Sequence, residues 1–177
     1  MTDLFLLETE RLKLYGWRRD QLDDLVRLHG DPDTARYLND KGEPWTREEC
    51  ETALEHWIAL FESRRLGKMR LIRKSDGVLV GRCGFGVYGT DDVPEIGFSL
   101  YPEFRGQGYA TEAASALRDW IFAETEWDHF LGMADTRNAP SLAALGRIGM
   151  RKTHVEPATR GLSRQFLIFT RDMLDAR

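Results

Sequence analysis

The sequence has few of the residues that build disulfide frameworks or metal sites. It contains two cysteines, Cys50 and Cys83, and four histidines that share no ligand spacing such as H-E-x-x-H. Two isolated cysteines make no disulfide framework, and we interpret both as small buried residues. The composition therefore predicts neither a disulfide scaffold nor a bound metal.

The sequence also lacks an excess of positive charge, with 25 Lys and Arg against 29 Asp and Glu, and it lacks long apolar runs. The formal net charge is −4, which gives no general attraction for nucleic acid. No apolar run approaches the ~20 residues that span a bilayer, and the first five residues lack the basic patch and apolar core of a secretory signal. We therefore expect a cytoplasmic protein that binds neither nucleic acid nor membranes.

What is present is an ordinary globular composition, with 42% hydrophobic and 31% charged residues in 177. A chain of this size buries roughly 70% of its unfolded surface, and we expect residues 1–177 to form one domain. The patterns include an early strand at Leu12–Tyr15, a helix-capping box at Thr46–Glu49 and a hairpin turn at Ser75–Gly77. The predicted order is strand, two helices, three strands, helix, strand, helix and two strands. This order favours one mixed α/β sheet with helices on both faces.

A glycine-bearing loop lies between a predicted strand and a predicted helix. Residues Glu95–Leu100 alternate between apolar and polar, and Pro102 ends the strand because it has no amide hydrogen for the sheet. The loop Arg105–Ala110 follows and leads into a helical apolar stripe. Amides in the first turn of a helix have no partner within it, and glycines let an anion approach them. The segment is therefore a candidate phosphate site.

Two common nucleotide motifs do not fit this loop. The P-loop pattern fails because no lysine and hydroxyl residue follow the glycines. The dinucleotide pattern G-x-G-x-x-G fails because Thr111 stands where the third glycine would be. A nucleotide-binding protein stays open as one alternative.

The loop and its flanks resemble the GNAT superfamily of N-acetyltransferases. The segment R-G-Q-G-Y-A is similar to the family signature Q/R-x-x-G-x-G/A, with Arg105, Gly108 and Ala110 at the defining positions. The strand start Glu95–Phe98 and the later segment Asn138–Ser141 resemble the neighbouring landmarks of that family. The opening residues E-T-E-R-L-K-L resemble the RimJ/RimL-like branch, which acetylates ribosomal-protein N-termini.

The resemblance implies a fold and a reaction. The fold would be mixed α/β, with one central, mostly antiparallel sheet of about six to seven strands and helices on both faces. The reaction would move an acetyl group from acetyl-CoA to a primary amine by direct attack in a ternary complex. The acceptor would be a protein N-terminal α-amine or a small-molecule amine, and the enzyme a monomer or homodimer.

The resemblance also implies where acetyl-CoA would bind. The pyrophosphate would lie on the amides from Arg105 to Ala110, and the pantetheine arm would pair with the strand backbone at Phe98–Leu100. A bulge at Gly97 would free an amide for the oxyanion. The residues expected to contact the co-substrate are Phe98, Ser99, Leu100, Arg105, Gly106, Gln107, Gly108, Tyr109, Ala110, Asn138 and Ser141.

Two residues are candidates for proton transfer. Glu95 is the candidate base, and the alternative is a strand-edge carboxylate that only positions the amine. Many family members protonate the leaving thiolate with a tyrosine seven residues after the motif asparagine, but here that residue is Leu145. Ser141 is the candidate substitute, and the alternative is that it only caps the following helix. The missing tyrosine favours a second hypothesis, a non-catalytic acyl-CoA-binding or regulatory module on the same fold.

The acceptor itself is left open by the sequence. Arg36, Arg82 and Arg160 are each able to bind an acidic acceptor, but we expect each to be a solvated surface charge. Trp57 and Trp120 lie on apolar helix faces, and we interpret both as core residues.

Overall fold

The structure is a computed structural model in which residues 4–158 and 161–176 are described, and all strands in these ranges form one sheet. Its eight strands are β1 (Phe5–Glu8), β2 (Leu12–Tyr15), β3 (Gly67–Arg73), β4 (Leu79–Tyr88), β5 (Val93–Leu100), β6 (His129–Asp135), β7 (Arg151–Glu156) and β8 (Arg164–Thr170). Their order across the sheet is β1-β2-β3-β4-β5-β6-β8-β7. Every neighbouring pair is antiparallel except β5 and β6. The mixed, mostly antiparallel fold is confirmed, with a strand count slightly higher than expected.

The helices are α1 (Leu22–His29), α2 (Pro32–Ala35), α3 (Arg47–Arg64), α4 (Tyr109–Glu124), α5 (Ala139–Arg147) and α6 (Arg171–Asp175). The predicted capping box of α3 is confirmed: Thr46 accepts from the Glu49 amide at 3.2 Å, and the Glu49 carboxylate accepts from the Thr46 amide at 2.8 Å. At the end of α5, Gly149 has φ 94°, the left-handed conformation that stops a helix.

One face of the sheet is apolar and packs against α4. The side chains of Met69, Cys83, Phe85 and Ile96 are all at most 1% exposed on this face. They form one cluster with the buried stripe of α4, which consists of Ala113, Ala114, Leu117 and Ile121. Trp120, expected in the core, is only partly buried against this cluster.

The opposite face is covered by α1 and α3. Leu25 and Leu28 of α1 pack with Leu54, Trp57 and Ile58 of α3 in a second buried cluster. The prediction of helices on both faces is therefore confirmed, and so is the assignment of Trp57 to the core.

Three short elements were not predicted from the sequence patterns. Strand β1 reads F-L-L-E, which does not alternate, and α2 and α6 are only four and five residues long. Elements this short are held by tertiary contacts rather than by their own propensity. Arg160, a candidate for binding an acidic acceptor, lies outside the described residues.

In the described ranges, no helix is long and apolar enough to cross a membrane.

Strands β5 and β6 are paired over only two residues each. Their parallel pairing joins Glu95 to Leu131 and Ile96 to Gly132, and then stops although both strands continue. On its other side, β5 pairs with β4 in an unbroken register from Val93 to Leu100. The expected bulge at Gly97 is therefore wrong. The irregularity is instead a divergence of β5 from β6, which leaves one backbone edge of residues 97–100 without a strand partner.

Candidate active site

A cavity of about 1610 Å³ lies at the divergence of β5 and β6. It is bordered by Gly97–Leu100 of β5, by Met133–Asp135 of β6 and by the first turns of α4 and α5. Typical small-molecule sites have volumes of ~300–1,000 Å³. This cavity therefore has room for two substrates side by side.

The glycine loop presents free backbone amides to this cavity. Gly106 and Gly108 have φ of 72° and 83°, which glycine adopts without strain. Within the described residues, the N–H groups from Gly106 to Thr111 make no hydrogen bond. The amide of Arg105 donates to Pro102 O at 3.3 Å, so the free amides begin one residue later than expected. A Cβ built on Gly106 meets no atom within 4 Å, so the space beside these amides is open. The free amides of Gly106–Thr111, called the amide cradle below, therefore fit a pyrophosphate.

A second group of contacts fixes the start of α4, and the sequence patterns did not reveal it. Arg11 donates from Nη1 to Gln107 O at 3.0 Å and from Nε to the Glu112 carboxylate at 2.6 Å. Its guanidinium also lies 4.4 Å from the centre of the Tyr109 ring. These contacts attach the turn between β1 and β2 to the glycine loop, so the cradle is held in shape from outside.

The side chain of Arg105 points away from the free amides. It donates to Leu100 O at 3.2 Å, to the Asp31 carboxylate at 3.3 Å and to the Thr34 hydroxyl. This side chain therefore joins the glycine loop to α2.

At the start of α5, Asn138 and Ser141 have separate tasks. The Asn138 side chain accepts from the Ser141 amide at 3.3 Å and so caps the helix. The alternative in which Ser141 caps α5 is therefore wrong. Among the described residues, the Ser141 hydroxyl makes no hydrogen bond, and the residue lines the cavity together with Glu95. Leu145, in the position of the family tyrosine, is 1% exposed and belongs to the apolar core.

Glu95 forms an ion pair with Lys68, a residue that the sequence patterns did not single out. The Lys68 Nζ lies 2.9 Å from Glu95 Oε2, 3.1 Å from Glu95 O and 3.3 Å from Gly84 O. Burial lowers the pKa of Lys68, while the Glu95 charge opposes that shift. Because three acceptors surround Nζ and a neutral amine has only two protons, we assign Lys68 as an ammonium.

Glycines clear the path of Lys68 across the sheet. Gly84 on β4 and Gly97 on β5 occupy one row with Lys68, and Gly86 stands opposite Glu95. A Cβ at Gly97 would lie 2.7 Å from Lys68 Nζ, and one at Gly84 would lie 2.0 Å from Gly67 O. The run of strand glycines was the available sequence signal for a side chain lying across the sheet.

Arg82 is buried, which corrects the expectation of a surface charge. It is 5% exposed, its Nε donates to His29 Nε2 at 2.9 Å, and its guanidinium lies 5.0 Å from the centre of the Trp57 ring. Burial lowers the pKa of Arg82 to about 10, so the group is charged at neutral pH. Arg36 is exposed and pairs with Asp33 at 3.1 Å, as expected of a surface charge.

Both cysteines are buried, as expected. Burial raises the pKa of Cys50 to about 11 and that of Cys83 to about 12, so neither thiol ionises near neutrality. Neither residue lines the cavity. Across the two described ranges, no three His, Cys, Asp or Glu side chains are grouped to hold a metal ion.

The family is established by sequence comparison. The family profile described as "Acetyltransferase (GNAT) domain" matches residues 11–151, most of the chain. The chain therefore belongs to the GNAT acetyltransferase family. It is an acetyl-CoA-dependent enzyme that transfers an acetyl group to an amine. Family membership removes the support for a nucleotide-binding protein.

Individual relatives agree with this assignment. An uncharacterized N-acetyltransferase, p20 of Bacillus licheniformis, is 26% identical over 148 residues, which are 82% of each chain. Among solved structures, an acetyltransferase from Agrobacterium tumefaciens superposes with TM-score 0.81 at 23% identity, covering 97% of this chain and 96% of its own. RimL, a ribosomal L7/L12 alpha-N-protein acetyltransferase in complex with coenzyme A, gives TM-score 0.77 at 16% identity, covering 96% and 99%. At these identities the two structures support the fold.

Proposed function

We propose that this enzyme transfers the acetyl group directly from acetyl-CoA to a primary amine held with it in the cavity between β5 and β6. The acceptor is a protein N-terminal α-amine or a small-molecule amine. The main support is that the free amides of Gly106–Thr111, the unpaired edge of β5 and the Glu95 carboxylate all border one cavity.

Two parts of the chain would hold acetyl-CoA, which supplies the thioester. The amides from Gly106 to Thr111 would bind the pyrophosphate at the positive end of the α4 dipole. The unpaired edge at Phe98–Leu100 would bind the pantetheine amides as a neighbouring strand would. Asn138 fixes the first turn of α5, so that Ser141 faces the same cavity.

Glu95 is the proposed base. Its Oε2 is held by Lys68, while Oε1 has no hydrogen-bond donor among the described residues and is available to a proton from the amine or from an intervening water. An α-amine, with a pKa of ~7.7–8.0, is partly neutral near pH 7, whereas a lysine amine at ~10.4 is not. Glu95 therefore has to deprotonate a smaller fraction of an α-amine acceptor than of a lysine acceptor.

Ser141 is the proposed acid for the departing thiolate. Its hydroxyl makes no bond within the described residues, since Asn138 provides the helix cap. A coenzyme A thiol has a pKa near ~8.5, so its departure requires only modest assistance.

Direct attack is supported by the positions of the cysteines. An acetylated enzyme would need a nucleophile in the cavity, but Cys50 and Cys83 are 0% exposed and lie away from it. Neither thiol can therefore carry the acetyl group, which supports attack by the amine itself.

The test is release of coenzyme A from acetyl-CoA across N-terminal peptides, polyamines, aminoglycosides and free amino acids. We expect turnover on at least one class. On that acceptor, Glu95→Gln should lower kcat by ~10²–10⁴-fold, the usual contribution of a general base. Ser141→Ala should lower kcat much more than acetyl-CoA affinity. Binding of acetyl-CoA with no turnover on any amine would contradict the proposal.

The amide cradle has a matched control within the chain. Gly106 and Gly77 have φ of 72° and 73°, and a Cβ on either meets no atom within 4 Å. Alanine at either position should therefore cost similar stability, while only Gly106→Ala should raise the KM for acetyl-CoA. Equal KM values in the two variants would show that the pyrophosphate does not lie on this loop.

A further inference from the structure

The cavity wall beneath α1 and α3 carries an unbalanced positive charge. Lys68 and Arg82 are cations at 8% and 5% exposure, and Glu95 is the one carboxylate paired with either of them within the described ranges. His29 adds no charge: its Nε2 accepts a hydrogen bond from Arg82, and burial, followed by the nearby Arg82 charge, lowers its pKa. The sum of these groups is one positive charge.

The surplus is located on Arg82. Lys68 has its carboxylate partner, whereas the Arg82 guanidinium uses only Nε, on neutral His29. Its two Nη groups make no hydrogen bond to any described residue, and neither is among the fully buried atoms without a partner. Both Nη groups therefore keep contact with the cavity that Arg82 borders, where water or a ligand accepts their hydrogen bonds.

Most of the other charges around the cavity are balanced locally. The exceptions are two exposed residues of its lining: Arg147, which has no ion-pair partner among the described residues, and Glu156, which has only His154 at 3.6 Å. Arg36 pairs with Asp33, Arg105 with Asp31, Arg164 with Asp40, Arg137 with Asp135 and Arg11 with Glu112. These pairs are at the rim or on its loops. Among the described cations that line the cavity, Arg82 is the buried one without a carboxylate partner.

The guanidinium is also fixed in position before any ligand arrives. His29 holds Nε at 2.9 Å, and the Trp57 ring lies 5.0 Å from the guanidinium carbon. Preorganised arginines bind carboxylates in a two-pronged geometry at little entropic cost.

Arg82 and Glu95 serve the same part of the cavity. Their side chains rise from one face of the sheet, with Arg82 four residues along β4 from Gly86, which stands opposite Glu95. Four strand residues span about 13 Å, which is the separation of the two backbone positions along the strand. The Glu95 charge also raises the pKa of Arg82, which places the two charges within electrostatic reach.

We propose that Arg82 binds a carboxylate on the acceptor, so that the substrate of this enzyme is an amine that also carries an acidic group. The inference rests on the proposed function, because the amine must lie near Glu95. A single surplus charge matches a carboxylate better than a doubly charged phosphate. A free amino acid and a peptide with an acidic first residue share this chemistry.

Wild-type enzyme tests the inference with matched acceptors. L-alanine is compared with L-alaninamide, and the amidated peptide Asp-Ala-Ala with amidated Asn-Ala-Ala. We expect kcat/KM to be about 10–100-fold higher for the acid in at least one pair, the effect of one charge-assisted hydrogen bond. The pair that responds distinguishes the free amino acid from the peptide. Equal values in both pairs would overturn the inference.

Amidation of alanine also makes its amine easier to deprotonate, because the neighbouring negative charge is lost. At a given pH a larger fraction of alaninamide is neutral, so a preference for the acid in that pair runs against the supply of neutral amine and reports binding.

Variants locate the preference. Arg82→Gln should remove the preference for the acid, and Arg82→Lys should restore only part of it, because an ammonium lacks the two-pronged geometry. The control Arg36→Gln, an exposed arginine on the same cavity, should keep the preference. A preference that survives in folded Arg82→Gln would overturn the inference.

Product binding separates this inference from the proposed function. The N-acetylated products of the four acceptors are added with coenzyme A, and the shift in Tm is measured. Stabilisation by the acidic products alone, lost in Arg82→Gln, supports the carboxylate site even if no amine is turned over. Equal shifts for the acidic and amide products contradict it, whatever the turnover screen shows.

Discussion

Strands β3, β4 and β5 present two different chemistries on their two faces. On the α4 side, Met69, Phe85 and Ile96 are at most 1% exposed and belong to one apolar cluster. On the other side, Lys68 and Arg82 are almost as deeply buried, yet both are charged and border a cavity. Successive side chains of a strand point to opposite faces, so one backbone carries both layers.

The two layers contribute differently to the stability of the fold. Burial of a large apolar side chain contributes ~1.5–3 kcal/mol to stability. A buried ion pair contributes little net stability, because removing both ions from water offsets most of their attraction. The apolar layer therefore stabilises the fold, whereas we interpret the charged layer as part of the active site.

The largest effect on stability should come from substitution of a strand glycine beneath Lys68. A Cβ at Gly84 would lie 2.0 Å from the Gly67 carbonyl oxygen, a backbone atom that cannot rotate away, whereas one at Gly86 meets nothing closer than 3.6 Å. We expect Gly84→Ala to cost more than ~4 kcal/mol or to prevent folding, and Gly86→Ala to be tolerated. Urea denaturation measures both. Similar losses in the two variants would contradict this account of the charged layer.

The apolar layer should respond to a cavity-creating substitution. Phe85 is 1% exposed and its ring lies 5.3 Å from that of Phe130, so Phe85→Ala should lower the free energy of unfolding by ~3–5 kcal/mol. The control is Phe5→Ala, because Phe5 is 37% exposed. A loss in Phe85→Ala no larger than in Phe5→Ala would show that the α4 side is not the main core.

A substitution in the charged layer should lower the stability of the protein less, and its activity more, than a substitution in the apolar layer. Lys68→Met leaves Glu95 without its partner, but the cavity lets water reach the carboxylate, so the loss should be below the ~3–5 kcal/mol of an enclosed pair. Acetyl transfer should fall because Glu95 is no longer oriented. A double-mutant cycle with Glu95→Gln should give a coupling energy of ~0.5–3 kcal/mol. Additive effects would show that the pair is not energetically coupled.

The smallest effect should be a dependence of stability on pH. Burial lowers the pKa of His29 below its usual value near 6.5, so the unfolded chain binds a proton that the folded chain does not. The contribution of His29 is fully present above about pH 6.5 and is lost as pH falls, with a slope of at most ~1.4 kcal/mol per pH unit. In urea midpoints between pH 7.5 and 5, His29→Gln should flatten this slope. An unchanged slope would contradict the assignment of a neutral His29.

Much of the fold could be predicted from the sequence because its signals are local. The capping box at Thr46–Glu49, the hairpin at Ser75–Gly77 and the stripe on α4 depend on neighbouring residues, and all three appear where expected. The family signature at Arg105–Ala110 is local as well. It directs attention to the loop whose amides are free in the structure.

The charged layer could not be predicted, because its members are far apart in the chain. Lys68 and Glu95 are 27 residues apart, and Arg82 and His29 are 53 apart. A lone arginine in a sequence is normally a surface residue, and only the register of β3, β4 and β5 buries this one.

By itself, the sequence determined the family, the reaction class and the position of the glycine loop, because these depend on short runs of residues. Only the tertiary structure decided where the strands diverge, which carboxylate and ammonium pair, and that a buried arginine without a carboxylate partner borders the cavity. Those features depend on burial and on distances between separate strands, and neither is encoded in any one segment of the chain.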